Sequence, residues 1–131
     1  MNSGDKEDLV QYRLSKSRST LKEVYNLLEL TYYNTAINRL YYAAFYAVLA
    51  LLLKFNINAK SHAGVRKMFG LNFISTGKIT RSSGKVFTEL FDKRQKGDYN
   101  DFFDFDKKTV EELIEPTSLL ISEIEKLINN Q

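Results

Sequence analysis

From Leu40 to Leu53, fourteen consecutive residues carry no charge, no amide and no simple hydroxyl, and a single cation, Arg39, stands at the mouth of the run. The run is shorter than the roughly 20 apolar residues a membrane-spanning helix needs, and it lacks the polar face of an ordinary surface helix. A chain that contains it has to bury it, either in the middle of a bundle or against a second chain. The remaining sequence says what does the burying. Six glycines and one proline in 131 residues leave little turn chemistry, and no segment sustains a period-2 alternation, so strands are not expected.

Apolar residues instead recur at helical spacing. Leu9, Val10, Leu14, Leu21, Val24, Tyr25, Leu27 and Leu28 predict a first helix from about Glu7 to Leu30, and a second runs from about Thr35 to Phe55. Ser61 is placed to N-cap a third helix across Val65, Met68 and Phe69. After "STGKITRSSG", expected to be a second connection, a fourth carries Val86, Phe87, Leu90 and Phe91 and is expected to end near Gly97 on a glycine cap, with "GDYNDFFDFD" as the loop that follows. A fifth begins near Lys107 and places Val110, Leu113, Leu120, Ile124 and Ile128 on one stripe, with Pro116 expected to bend it or mark a restart. The fold class predicted is all-α: one domain, 1–131, built as an antiparallel up-and-down bundle of about five helices. A five-helix domain of this size has few places to hide the second helix completely, so self-association through it is the favoured expectation.

Charge is distributed unevenly. Residues 54–96 hold ten Lys or Arg against two Asp or Glu, while residues 97–131 hold three against nine. The simplest expectation is that the basic middle pairs with the acidic last helix; the alternative is a polyanionic partner. Several chemistries are not supported. There is no cysteine for a disulfide or a thiolate site, which suits a reducing cytoplasm. The N-terminus "MNSGDKEDLV" lacks the basic then apolar pattern of a signal peptide, so neither secretion nor a membrane location is expected. Gly64, Gly70, Gly77 and Gly84 are too widely spaced for a phosphate loop. The single histidine, His62, has Ala59 three residues before it, which fails the Glu-x-x-His pattern of a di-iron bundle. No metal and no cofactor is expected.

Arg39 is the feature that asks for a function. Seven residues of helix make about two turns, so Arg39 and Tyr46 share a face roughly 10 Å apart, with Tyr42 between them and Asn38 adjacent. A guanidinium at the entrance of a buried helix needs a carboxylate, water or an anionic ligand, because an isolated buried charge is prohibitively costly. Asp98 or Glu29 could supply the carboxylate; otherwise Arg39 marks an anion site.

At these residues the chain resembles a known family. The "NRLYYAAF" core, the "KSHAGV" start of the third helix and "RQKGDY" at the end of the fourth follow one another as in the HEPN family. The likeness spans about residues 9–128. It implies a helical bundle that dimerises through central helices and, in many members, a metal-independent endoribonuclease acting as a toxin beside a nucleotidyltransferase antitoxin. The family's signature of an Arg followed four to six residues later by a His matches Arg39, but the His position is Tyr46, giving catalytic candidates Arg39, Tyr46 and Asn38.

Tyrosine, with an ordinary pKa near 10, is a poor base at neutral pH, whereas imidazole near 6.5 can take or give a proton. His62, near a helix start beside Lys60 and Arg66, could substitute, although a lone His in a first turn is more often a surface or capping residue. Arg94 and Asp98 of "RQKGDY" read mainly as an ion pair at a helix end. Candidate binding residues are thus Tyr42, Lys60, His62, Arg66, Arg94 and Asp98. Two functional classes follow: an RNA-directed toxin of the ribonuclease kind, or a non-catalytic module that binds nucleotide, RNA or a nucleotidyltransferase partner through the same cleft.

Overall fold

A computed structural model describes residues 2–99 and 104–130. Five α-helices follow in order: α1 Ser3–Glu29, α2 Tyr33–Lys54, α3 His62–Phe69, α4 Arg81–Tyr99 and α5 Lys107–Asn129, with a π-helical turn at Gly70–Ile74 extending α3. The predicted all-α bundle is what the chain forms.

The first helix starts earlier than its apolar pattern because Asn2 caps it, its side chain accepting the Asp5 backbone N–H at 2.8 Å. It stops without glycine. Thr31 adopts φ 63°, with Thr31 N–H bonding Leu28 O at 3.0 Å and Tyr32 N–H bonding Leu27 O at 2.9 Å. The same pair of bonds closes α2 around Asn56 at φ 58°, where Asn56 N–H meets Leu53 O and Ile57 N–H meets Leu52 O. Both ends are Schellman motifs, which tie off orphan carbonyls and turn the chain back on itself.

The apolar helix α2 is the centre of the molecule and packs against α1, α3, α4 and α5. Its buried residues include Ile37, Leu40, Tyr41, Phe45, Val48 and Leu51, and its alanines 36, 43, 44, 47 and 50 are fully buried. Small side chains there let α1 approach closely enough for the buried Ser17 hydroxyl to donate to Ala43 O at 2.6 Å. By length and composition α2 could cross a membrane, but 67% of its most apolar window is buried inside the bundle, as befits a core helix. A single chain thus covers most of the run that argued for self-association. What stays partly open is one strip, Asn38, Arg39, Tyr42, Tyr46, Leu49 and Leu53.

The outer helices are fastened by polar clamps. Arg18 on α1 forks onto Glu125 of α5, at 3.1 and 2.7 Å, and also donates to Ser118 and Ser122. Glu123 of α5 accepts from Thr80 N–H at 3.0 Å, Thr80 Oγ1 at 2.9 Å and the Ser83 hydroxyl, capping the start of α4.

Four expectations need correction. Helix α4 does not end on a Gly97 cap but runs on to Tyr99, so part of the expected "GDYNDFFDFD" loop is helical; residues 100–103 of it lie outside the described residues. Gly97 serves close packing: a Cβ there would come within 3.0 Å of the Phe105 ring. Of the two outcomes expected at Pro116, a bend or a restart, the restart is not made: α5 passes through Pro116 as one element. The stretch "STGKITRSSG", expected to be a connection throughout, is already helical from Arg81. The basic middle was expected to pair with the acidic last helix, but no ion pair between them occurs among the described residues. Among the described residues, Arg66 pairs with Asp92, Lys93 with Glu89 and Arg94 with Asp98, all within α3 and α4, while α5 spends Glu125 on Arg18.

Candidate functional site

The open strip of α2 faces the start of α3 and the second half of α4, and the candidate residues gather there around Tyr42. The Arg39 guanidinium lies over the Tyr42 ring at 5.0 Å, the Tyr46 ring centroid is 6.0 Å from that of Tyr42, and the His62 ring meets Tyr42 edge-on at 5.8 Å. Arg94 Nη1 donates to the Tyr42 hydroxyl at 3.4 Å. Lys16, reaching from α1, covers the outer side with its ammonium 5.6 Å from the Tyr46 ring. The helical spacing of Arg39, Tyr42 and Tyr46 therefore builds the shared face expected of it.

Arg39 finds no carboxylate among the described residues. The Asn38 amide oxygen accepts from its Nε at 3.2 Å and its Nη2 at 2.8 Å, and the Asn38 amide in turn donates to Asp98 at 3.4 Å. The expected direct pairing with Asp98 or Glu29 is replaced by a relay in which Asp98 orients Asn38 and Asn38 orients Arg39. Arg39 stays half-buried, and its Nη1 has no protein partner among the described residues. A cation held in orientation by a neutral amide keeps its full charge for something else.

Arg94 makes the ion pair expected with Asp98, but it does so from a buried position: its guanidinium, 8% exposed, is set against the rings of Tyr41 at 4.9 Å and Tyr42 at 5.8 Å. Its ion pair with Asp98 is long, at 3.6 Å, and its Nε has no hydrogen-bond partner among the described residues. Such a placement is costly in isolation.

His62 differs most from the surface or capping reading. Ser61 is the cap, accepting from Gly64 N–H at 2.9 Å, and this fixes the first turn so that His62 turns inward. The imidazole stacks on Phe45 at 4.3 Å with planes 12° apart, and Nδ1 is hydrogen-bonded to the Tyr41 hydroxyl at 2.8 Å. Burial pushes the His62 pKa below its ordinary 6.5, and the nearby Arg94 charge pushes the same way, so the ring is neutral at pH 7. Burial holds the Tyr41 phenol well above its ordinary range, so it keeps its proton. A phenol can donate to Nδ1 or accept from it, so it supports either tautomer of His62 and leaves Nε2 able to take or give a proton.

Tyr41, Phe45 and Lys16 complete the site and were not read from the sequence. Tyr41 and Phe45 look like core residues at core spacing, and only the inward turn of His62 gives them a second role. Lys60 is exposed, with no hydrogen bond or ion pair among the described residues. Arg66 covers the Phe91 ring at 4.4 Å and pairs with Asp92 at 3.8 Å, with no contact to Tyr42 among the described residues. Among the described residues no cluster of metal-ligating side chains occurs.

The fold and this site define a class: a small helical bundle whose central helix carries an oriented arginine and an aromatic strip, with an imidazole brought in from the next helix. The chain belongs to the HEPN family, whose domain model matches residues 10–127. It is 34% identical to a UPF0332 protein of Thermotoga maritima over 96% of both chains. Two proteins of Methanocaldococcus jannaschii that carry the name "Putative toxin" are 35% and 32% identical, covering 95% and 88% of this chain and 92% and 78% of their own lengths.

Proposed function

We propose that this chain is the toxin-type component of a toxin–antitoxin pair, a cytoplasmic homodimer that cleaves RNA without metal, with His62 supplying the imidazole that position 46 lacks. The placement of His62 carries this reading: a half-buried, neutral imidazole, tethered through Nδ1, sharing Tyr42 as a neighbour with the oriented Arg39. The names of the Methanocaldococcus relatives support the toxin-like role.

In the proposed reaction His62 Nε2 takes the proton of the ribose 2′-hydroxyl, and the oxygen attacks the adjacent phosphorus. Arg39 neutralises the charge that builds on the phosphoryl oxygens of the five-coordinate state. The bond to the 5′-oxygen breaks, that oxygen is protonated by the Tyr46 phenol or by water, and a 2′,3′-cyclic phosphate and a free 5′-hydroxyl are left. The partly exposed strip Tyr42, Tyr46, Leu49 and Leu53 is the surface through which two copies would meet, bringing their sites to one cleft. A nucleotidyltransferase is the proposed antitoxin.

A specific observation favours the non-catalytic alternative. Tyr46 is packed between Lys16 and Tyr42, a cationic and aromatic setting that suits holding a base or phosphate without turnover. Cleavage of a labelled RNA by purified protein in excess chelator separates the two. Turnover by the wild type, lost in a folded Arg39→Ala variant, supports the ribonuclease. Binding without turnover, weakened by Arg39→Ala, supports the module.

A further inference from the structure

A groove of about 850 Å³ is walled by α3 with its π-helical turn on one side and by α4 on the other, and none of its lining residues is Tyr42, Tyr46 or Arg39. Its shape comes from two local features. The π turn, closed by Ser75 N–H to Gly70 O at 2.9 Å, carries Leu71 and Ile74 into the groove wall, and Leu71 is 54% exposed. Gly84 lets α4 close onto that wall, since a Cβ there would meet three Ile74 carbons at 3.1 Å. Phe69 and Phe87 form the floor, so the lining is mainly apolar.

The rim is basic, and much of that charge is uncommitted. Arg66 and Lys93 are engaged with Asp92 and Glu89. Lys67, Arg81 and Lys85 are exposed, and none has a carboxylate partner among the described residues. An apolar trough flanked by unpaired cations matches a helix with an apolar stripe and acidic shoulders. A phosphate backbone matches it less well, because it has no apolar face to fill the trough between Leu71 and Ile74.

We propose that this groove docks an acidic amphipathic helix of a partner protein. An apolar side chain of that helix enters between Leu71 and Ile74, and carboxylates on its flanks meet Lys67, Arg81 and Lys85. The inference is independent of whether the Tyr42 site cleaves RNA.

The probe is a labelled synthetic peptide of about four helical turns, with leucines along one face and glutamates on either side, titrated with the full chain by fluorescence anisotropy. Two variants leave the core untouched because their positions are exposed: Leu71→Asp, and Lys67→Glu combined with Lys85→Glu. Saturable binding that falls about tenfold or more in both variants, and that a uridine oligonucleotide does not displace, is the expected result. No binding by the wild type overturns the proposal. So does binding that Leu71→Asp leaves intact, or that the oligonucleotide displaces, since either makes the rim a general polyanion surface. Circular dichroism of both variants confirms that any loss is not unfolding.

Discussion

Replacing Arg94 by Met asks whether the buried guanidinium is kept for the fold or for the site. The change gives up two ring contacts at 4.9 and 5.8 Å, worth about 0.5–1 kcal/mol each. It also gives up a long ion pair to a one-third exposed Asp98, worth about 0–1 kcal/mol, and a stretched bond to the Tyr42 hydroxyl that adds less. Against these about 1–3 kcal/mol stands relief of the orphaned Nε, about 1–3 kcal/mol, and of part of the charge desolvation. Met fills the volume of the stem without leaving a cavity. The two sides nearly cancel, so urea unfolding of Arg94→Met is expected to lie within about 1 kcal/mol of wild type. Loss of the nearby cation also lets His62 bind a proton more readily, so its titration, followed by NMR, moves upward toward 6.5. A loss of stability beyond about 3 kcal/mol, with His62 unmoved, would refute the reasoning and make Arg94 a structural cation.

Three further outcomes are expected. Thr31→Gly should raise stability by about 0.5–1 kcal/mol in thermal or urea unfolding, because a β-branched residue at φ 63° is strained, and the gain is trimmed by the greater freedom of glycine in the unfolded chain. Tyr42→Glu should shift the proposed dimer to monomer in sedimentation; a wild type already monomeric at tens of micromolar ends the dimer reading. Stability should decline in two acid steps: the first as pH falls below 6.5, where the unfolded chain protonates His62 before the folded one does, and absent in His62→Gln. The second comes below 4.5, where Glu123, raised by burial but lowered more by its bonds from Ser83 and Thr80, loses its role at the α4 cap; Glu123→Gln should remove that step.

Much of the architecture was legible because helical periodicity is a local signal. The stripe of α5 and the Ser61 cap emerged where spacing and capping chemistry put them. The ends of α1 and α2 were harder to read, since Thr31 and Asn56 take the left-handed position that usually announces itself as glycine. Gly97 misled in the opposite sense: it is needed for the approach of Phe105, a contact between residues that share no local pattern. In the site, one-face spacing on α2 was enough to group Arg39, Tyr42 and Tyr46. The inward turn of His62, the burial of Arg94 and the relay through Asn38 depend on how three helices meet, and segment charge alone suggested a pairing with α5 that does not occur among the described residues.

The central claim is that His62 supplies the imidazole, and single-turnover cleavage of RNA in chelator at pH 7 by His62→Gln beside wild type tests it most directly. The expected result is a loss of about 10²–10⁴-fold in rate with the fold and sedimentation unchanged, since glutamine keeps the polar contact but cannot carry a proton. Equal rates for the two proteins would contradict it.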